Sequence, residues 1–114
     1  MRHLKKKKIG KGRDHARKLV RSLAASAIVY EKIQTTEARA KITRSVVERL
    51  ITKAKKDDLH NKRQIFAALP ANAARKTIEV LGPRFKDRKG GYTRIVRLGK
   101  AKDGMPKVQL ELLD

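Results

Sequence analysis

The sequence predicts an α+β fold in which a helix, a strand, three helices and a C-terminal β-hairpin follow one another. A small three-stranded sheet would carry the helices packed on one face. Apolar residues make up 39% of the 114 residues and aromatic residues only 4%, so the core must be aliphatic, which suits helices better than a β-sandwich. Apolar positions recur every three or four residues through most of the chain and every second residue near its end. A chain of this length is typical of one domain.

The first helix is expected to begin at Asp14, whose carboxylate is a suitable N-cap. Residues 1–13 are lysine-rich and lack a helical period, so we interpret them as a basic arm preceding a single globular domain at 14–114. Apolar side chains then recur at helical spacing: Ala16, Leu19, Val20, Leu23, Ala27 and Ile28. Three arginines at four-residue intervals form a cationic stripe beside that apolar face: Arg13, Arg17 and Arg21.

Residues 29–35, with the sequence VYEKIQT, are rich in β-branched and aromatic residues and are predicted to form a short strand. Thr36 is expected to cap the second helix, with Glu37 in the first turn, where a negative charge is favoured. A broad apolar stripe marks this helix: Ile42, Val46, Val47, Leu50, Ile51 and Ala54. Three lysines close it at the negative end of its dipole: Lys53, Lys55 and Lys56.

Two further helices are predicted before residue 84. Asp57 or Asp58 starts the third, and Pro70 ends it. Asn72 is expected to cap the fourth, and the pair Gly82-Pro83 is expected to stop it. The apolar residues predicted to face the core are Leu59, Ile65, Phe66 and Leu69 in the third helix, and Ala74, Ile78 and Leu81 in the fourth.

The C-terminal part is predicted to be a β-hairpin with strands at 92–98 and 106–113. The second strand alternates cleanly between apolar residues (Val108, Leu110 and Leu112) and polar ones. Asp103-Gly104 is expected to lie in the turn between the strands. Strand 29–35 is then free to join this hairpin and complete the sheet.

The charge of the chain points to a polyanionic partner. The formal net charge is +20 and the sequence pI is about 10.9, which would make the folded chain repel itself unless a polyanion neutralised it. Residues 1–21 contain ten Lys or Arg and one acid, and residues 84–102 contain eight and one acid. Two basic zones therefore flank a milder body, and nucleic acid is the expected partner, with an anionic membrane as the alternative.

The stretch KDRKGGYTRI at residues 86–95 combines fixed cations, two glycines and a tyrosine. Tyr92 is expected either to stack on an unpaired base or bond a ribose or phosphate, or to pack on the sheet edge as part of a tight loop. Cationic residues with phosphate-binding chemistry, and the glycines that let the backbone approach a ligand, complete the predicted RNA-binding set. That set is Arg2, His3, Lys5, Lys6, Lys7, Lys8, Lys11, Arg13, His15, Arg17, Arg21, Arg84, Arg88, Lys89, Gly90, Gly91, Tyr92 and Arg94.

Catalysis is a weak hypothesis for this chain. Its three histidines are scattered, and the sequence holds no nucleophile elbow, HExxH motif or phosphate-binding glycine loop. Asp57 and Asp58 are better interpreted as a helix start than as a metal pair. No cofactor, metal or small-molecule substrate is predicted, and a ribonuclease stays open only in principle.

Other partner classes are also disfavoured. There is no cysteine, no signal core and no apolar run approaching the ~18 residues of a membrane span, so we expect a soluble, intracellular protein. Membrane binding through residues 14–28 is disfavoured by their alanine-rich face and by the lack of tryptophan. The sequence shows no helix-turn-helix, zinc-finger or zipper pattern, which favours a structured RNA over a DNA operator.

Several motifs resemble the protein-seventeen family of the bacterial large ribosomal subunit. They are MRH at the start, IQTTEARAKITRSVVERLITKAKK at 33–56, and GPRFKDRKGGYTRI followed by LELLD at the end. The N-terminal quarter departs from the pattern, since KKKKIGKGRDHARK stands where the family has an Arg/Asn/Ser-rich segment ending in Ser-Ser-His-Arg. His15 and Arg21 match, whereas Ala16 replaces the Arg after the His, and Arg17 follows one place later.

The resemblance implies an α+β fold with the element order given above and no enzymatic activity. It implies a structural role in cytoplasmic ribosomes, with binding to large-subunit ribosomal RNA and contact with neighbouring ribosomal proteins near the exit region. The alternative that the residues leave open is a free nucleoid- or RNA-associated basic protein.

Overall fold

The computed structural model describes residues 12–100, 102 and 104–114. The helices are α1 (Gly12–Tyr30), α2 (Glu37–Ala54), α3 (Leu59–Ala68), α4 (Ala71–Lys76) and α5 (Gly82–Arg84), with a π-helical turn at Thr77–Leu81 between the last two. The strands are β1 (Lys32–Thr36), β2 (Thr93–Lys100) and β3 (Pro106–Leu112). The predicted α+β class and order of elements are confirmed.

The three strands form one antiparallel sheet in the order β1-β3-β2. Leu110 of the central strand pairs with Ile33 on one side and with Ile95 on the other, which makes an apolar row across the sheet. The alternation in β3 buries Val108, Leu110 and Leu112 on the face that α1 and α2 cover. The prediction that the strand near residue 30 joins the C-terminal hairpin is therefore confirmed. Gly104 has φ +84 between β2 and β3, and Asp103 lies outside the described residues.

Both predicted ends of α1 are wrong. The helix begins at Gly12, so that Asp14 lies in the first turn rather than at the N-cap. It also continues through Val29 and Tyr30, which the sequence pattern places in a strand, and β1 begins only at Lys32. The helix ends where Glu31 adopts φ +65, a left-handed conformation that glycine usually supplies at this position. Because the sequence has no glycine here, no local signal marks this end.

The caps of α2 and α3 follow the prediction, whereas the core face of α3 does so only in part. Thr36 Oγ1 accepts a hydrogen bond from Arg39 N at 3.4 Å, and Asp58 Oδ1 accepts one from Asn61 N at 2.7 Å. Ile65 and Leu69, one turn apart, are buried. The other two apolar residues predicted to face the core from α3 are exposed: Leu59 and Phe66. A helix this short buries one narrow stripe, and adjacent positions are turned ~100° away from it.

The last helical segment neither begins nor ends as predicted. Pro70 occupies the N-cap of α4, so Asn72 is not the cap. Gly82-Pro83 does not stop the helix, which continues through the π-helical turn into α5. Gly82 N donates to Thr77 O, five residues back. This wider turn accommodates the ring and missing N–H of Pro83, which would disrupt a regular α-helix.

Gly82 is required for close packing rather than for turning the chain. A Cβ placed on Gly82 would lie 2.9 Å from the carbonyl oxygen of Ala54, at the end of α2. Because that atom belongs to the backbone, we expect Gly82→Ala to lower the free energy of unfolding by about 1–3 kcal/mol, the usual cost of overpacking. Chemical denaturation followed by circular dichroism measures this. Glycine elsewhere in a helix gains stability from the same change, so a stabilised variant would contradict this packing.

One buried hydroxyl has no partner within the part of the chain that the structure describes. Thr43 of α2 is fully buried, and its Oγ1 makes no hydrogen bond there. Valine replaces the hydroxyl by a methyl group of similar size, so we expect Thr43→Val to raise the free energy of unfolding by about 1 kcal/mol. Thr77→Val is the matched control, because the equally buried Thr77 Oγ1 donates to Ala73 O at 2.8 Å. The control should not gain stability. Equal gains in both variants would show that the stabilisation comes from burying the added methyl group and not from removing an unpaired hydroxyl.

Candidate nucleic-acid interface

The predicted RNA-binding residues fall into several groups in the structure. Seven lie outside the described residues: Arg2, His3, Lys5, Lys6, Lys7, Lys8 and Lys11. Arg13 lies in the first turn of α1. His15, Arg17 and Arg21 are exposed along the same helix. The remaining predicted residues lie in or near the segment that links α5 to β2.

The basic loop at residues 86–91 presents its side chains to solvent. All six of its residues are exposed, including Arg88, Lys89 and the two glycines. Arg88 N donates to Phe85 O at 3.0 Å, and the Arg88 guanidinium donates to Gly91 O at 3.4 Å. Gly91 has φ +64, which only glycine adopts readily, and the chain turns inward at the next residue. The loop is therefore a folded turn with its cations pointing out.

Tyr92 lies inside the fold. Its side chain is 1% exposed, and its ring lies 5.1 Å from that of Phe85 at an interplanar angle of 51°. The hydroxyl accepts a hydrogen bond from Lys55 Nζ at 2.9 Å. Thr52 Oγ1 donates its proton to Glu48 O, so the Tyr92 hydroxyl donates to Thr52 Oγ1 at 3.3 Å. With ring and hydroxyl both occupied, the structure favours the packing alternative for Tyr92 over stacking on a base.

Side chains of α2 and of its C-cap residue, Lys55, hold Tyr92 and the next residue, Thr93, in place. Lys55 Nζ, besides its bond to the hydroxyl, lies 5.1 Å from the ring centroid and donates to the carbonyl oxygen of Arg88. Thr93 donates to Glu48 Oε2 from its backbone N at 3.2 Å and from its hydroxyl at 2.9 Å. Burial would raise the pKa of Tyr92, but the hydrogen bond from Lys55 and the one shared with Thr52 outweigh it and lower that pKa. The residues that directly follow the loop are thus anchored to α2.

Two of the predicted RNA-binding arginines pair with carboxylates of this chain. Arg84 forms a two-pronged pair with Glu31, at 2.6 and 3.1 Å, and only 24% of its side chain is exposed. The hydrogen bond to Glu31 raises the pKa of Arg84. Arg94, on β2, lies 3.3 Å from Glu111 of β3 but remains largely exposed. Arg84 therefore links α5 to the residue that follows α1, whereas Arg94 stays on the surface.

A set of cations that the sequence prediction did not include lies beside the loop. Arg49 and Lys53 of α2, together with Lys56 just past the end of that helix, line a groove of about 540 Å³ that Gly90 of the loop also lines. The prediction used these lysines only as charges that close the helix. Arg49 and Lys53 are four residues apart and therefore share one face of α2, and Lys56 follows three residues later, beyond the helix end. This spacing could have identified them. We call the loop at residues 86–91, together with Arg49, Lys53 and Lys56 across this groove, the α2–loop surface.

The described residues offer little for other kinds of site. In that part of the chain no group of three or more His, Cys, Asp or Glu residues is placed to hold a metal ion. Among the same residues, no helix combines the length and apolarity needed to cross a membrane.

Comparison with known proteins identifies the family. A family model described as "Ribosomal protein L17" matches residues 19–113. Large ribosomal subunit protein bL17 of Carboxydothermus hydrogenoformans is 47% identical over 108 residues, which cover 93% of this chain and 96% of that protein. The bL17 protein of a Hydrogenobaculum species is 49% identical over 106 residues, or 91% of this chain and 90% of the relative. That of a Thermoanaerobacter species is 43% identical over 109 residues, or 94% and 97%. The chain therefore belongs to the ribosomal protein L17 family.

Proposed function

We propose that this chain is a structural constituent of the bacterial large ribosomal subunit in the cytoplasm, where it binds large-subunit ribosomal RNA and contacts neighbouring ribosomal proteins. The observation that carries the proposal is the family match over residues 19–113, with relatives named as large-subunit proteins along nearly their whole length. The net charge of +20 supports RNA as the partner. No catalytic role is proposed.

Binding would act through phosphate neutralisation on a preformed surface. On the α2–loop surface, Arg88 and Lys89 point outward from a loop whose backbone Lys55 and Gly91 hold in one conformation. Because that backbone is already ordered, binding RNA costs little further loop entropy. Arginine adds two-pronged contacts to phosphate oxygens that lysine cannot make. The exposed arginines of α1 and the basic residues before it would extend the contact, with residues 1–13 as an arm and 14–114 as the domain.

Sedimentation tests the assignment most directly. Chain expressed in bacteria should co-migrate with large ribosomal subunits through a sucrose gradient at high salt. Recovery in the soluble or DNA-containing fractions would instead support the free nucleoid- or RNA-associated alternative and would contradict the proposal.

Salt dependence tests the mechanism on the α2–loop surface. The probe is transcribed bacterial large-subunit ribosomal RNA, bound by the purified full chain at several salt concentrations. Replacing Arg49, Lys53 and Lys56 with glutamine removes their positive charges. The slope of log affinity against log salt should then become less steep by ~0.7–0.9 for each phosphate that is no longer neutralised. Arg88→Gln combined with Lys89→Gln should lower it further.

Lys41→Gln is the matched control for these variants. Lys41 is an exposed lysine of α2, about 18 Å along the helix from Lys53 at 1.5 Å per residue. It should leave the slope nearly unchanged. Equal decreases in the control and in the surface variants would mean that net charge alone governs binding, and would refute a defined α2–loop surface.

A further inference from the structure

A groove between α1 and the start of α4 presents a second surface of mixed chemistry. Its volume is about 380 Å³. Residues of both helices and of the turn before α4 line it, including Lys18, Arg21, Ser26, Tyr30, Pro70 and Asn72. It shares no lining residue with the groove of the α2–loop surface.

Tyr30 distinguishes this groove from the rest of the surface. Its side chain is 72% exposed at the last position of α1, whereas Tyr92, the only other tyrosine, is 1% exposed. Only 4% of the residues of this chain are aromatic, and Tyr30 leaves its ring in water. An exposed ring of this kind offers a flat apolar face for stacking and a hydroxyl for hydrogen bonding.

The groups around Tyr30 match the parts of a nucleotide. Lys18 and Arg21 lie one turn apart on α1 and supply positive charge for a phosphate. Ser26 and Asn72 supply donors and acceptors within the same groove, suited to a ribose or a base edge. Tyr30 supplies the stacking face.

We propose that this groove binds an unpaired nucleotide of single-stranded RNA, with its base stacked on Tyr30 and its phosphate held by Lys18 and Arg21. The inference rests on the proposed RNA-binding function and adds a site that reads a base rather than only the phosphate backbone. An apolar peptide segment in the same groove would leave both cations without counter-charge, so charge complementarity favours RNA.

The test compares two single strands of about twelve nucleotides, an oligouridylate and an abasic strand with the same number of phosphates. Wild-type full chain should bind the oligouridylate about 5- to 150-fold more tightly, the range that stacking of a base on an aromatic side chain supplies. Tyr30→Phe should keep this preference, whereas Tyr30→Ala and Tyr30→Leu should lose most of it. Because Tyr30 is exposed at a helix end, none of these variants should unfold.

Tyrosine fluorescence reports on the same interaction without relying on affinity. The chain has two tyrosines and no tryptophan, so in Tyr92→Phe all of the emission comes from Tyr30. That emission should fall when oligouridylate is added and stay constant with the abasic strand. In Tyr30→Phe only the buried Tyr92 emits, and its emission should change with neither strand.

Two results would overturn the inference. The first is an unchanged preference for oligouridylate in Tyr30→Ala. The second is full retention of the preference in Tyr30→Leu, which would show that apolar contact, and not stacking on a ring, distinguishes the two strands. Failure of the proposed function would look different, because the chain would then not co-migrate with large ribosomal subunits, whatever its preference between the two strands.

Discussion

Replacing Tyr92 with alanine is expected to lower the free energy of unfolding by about 3–5 kcal/mol, as for other buried aromatic residues. The ring is 1% exposed and packs against Phe85, so its removal leaves a cavity beneath the basic loop. It also takes the hydroxyl away from Lys55 and Thr52. Denaturant unfolding followed by circular dichroism measures the decrease, and a midpoint shift without a change of slope identifies it as a change in stability.

Tyr92→Phe separates packing from hydrogen bonding. It keeps the ring and should cost about 1 kcal/mol for the missing hydrogen bonds of the hydroxyl. Its affinity for ribosomal RNA should stay close to that of the wild type, because Arg88 and Lys89 remain exposed. Tyr30→Ala is the matched control for stability, since the exposed Tyr30 should shift the unfolding free energy by less than about 0.5 kcal/mol. A stable Tyr92→Phe variant that binds RNA tenfold more weakly would show that the Tyr92 hydroxyl reaches RNA.

Elements whose spacing matches one regular period were predictable from the sequence. Helix α2 carries a broad apolar stripe and a threonine cap, and both are present in the structure. Strand β3 alternates without a break, and its apolar residues are buried. In these segments the local preference and the tertiary packing agree, so the pattern was sufficient.

Segment ends set by distant contacts were not predictable. Glu31 ends α1 in a left-handed conformation, and its side-chain partners Lys76 and Arg84 are far away in the sequence. The pair Gly82-Pro83 is locally a helix-stop signal, yet the helix continues through it. Gly82 is needed instead because it packs closely against the backbone of Ala54. These distant contacts leave no signal in the residues next to Glu31 or Gly82 in the sequence.

The same distinction applies to the candidate site. The basic zones were evident from the charge of the sequence. Arg84 and Arg88 were both predicted to bind RNA, but in the structure Arg84 pairs with Glu31 and Arg88 lies in the exposed loop. The sequence also favoured no tyrosine other than Tyr92, whereas Tyr30 is the exposed one. Whether a cation or a ring faces solvent depends on neighbours that only the fold brings together.

Neutralising Glu31 with glutamine is expected to lower the free energy of unfolding at neutral pH by about 1–2 kcal/mol. The carboxylate accepts hydrogen bonds from Arg84 at 2.6 and 3.1 Å and lies 3.0 Å from Lys76 Nζ. The hydrogen bond from Arg84, with a smaller one from Lys76, outweighs burial and lowers the pKa of Glu31 from 4.5 to about 2. The side chain is 33% exposed, so solvent screens part of this interaction.

The stability difference between wild type and Glu31→Gln should depend on pH in one direction. The pKa of Glu31 is lower in the folded than in the unfolded chain, so the unfolded chain binds the proton more readily. The stabilising contribution is therefore complete above the ordinary pKa of 4.5 and is lost as the pH falls toward about 2. Glutamine does not titrate, and Asp58 and Glu111, whose pKa values are also lowered, are present in both proteins and cancel. Denaturant unfolding from about pH 7 to pH 2.5 measures the difference.

Alanine and glycine at position 31 separate the ion pairs from the backbone geometry. Both substitutions remove the carboxylate, but at φ +65 only glycine escapes the left-handed penalty of about 1–2 kcal/mol for a residue with a Cβ. Glu31→Gly should therefore be more stable than Glu31→Ala by about 1 kcal/mol, less than the full penalty because glycine also loosens the unfolded chain. The carbonyl of Glu31 accepts from Leu112 N at 2.8 Å, so the same residue links α1 to the sheet. Equal stability of the two variants would mean that this junction relaxes to an ordinary conformation once the carboxylate is gone, and that the ion pairs impose the left-handed turn.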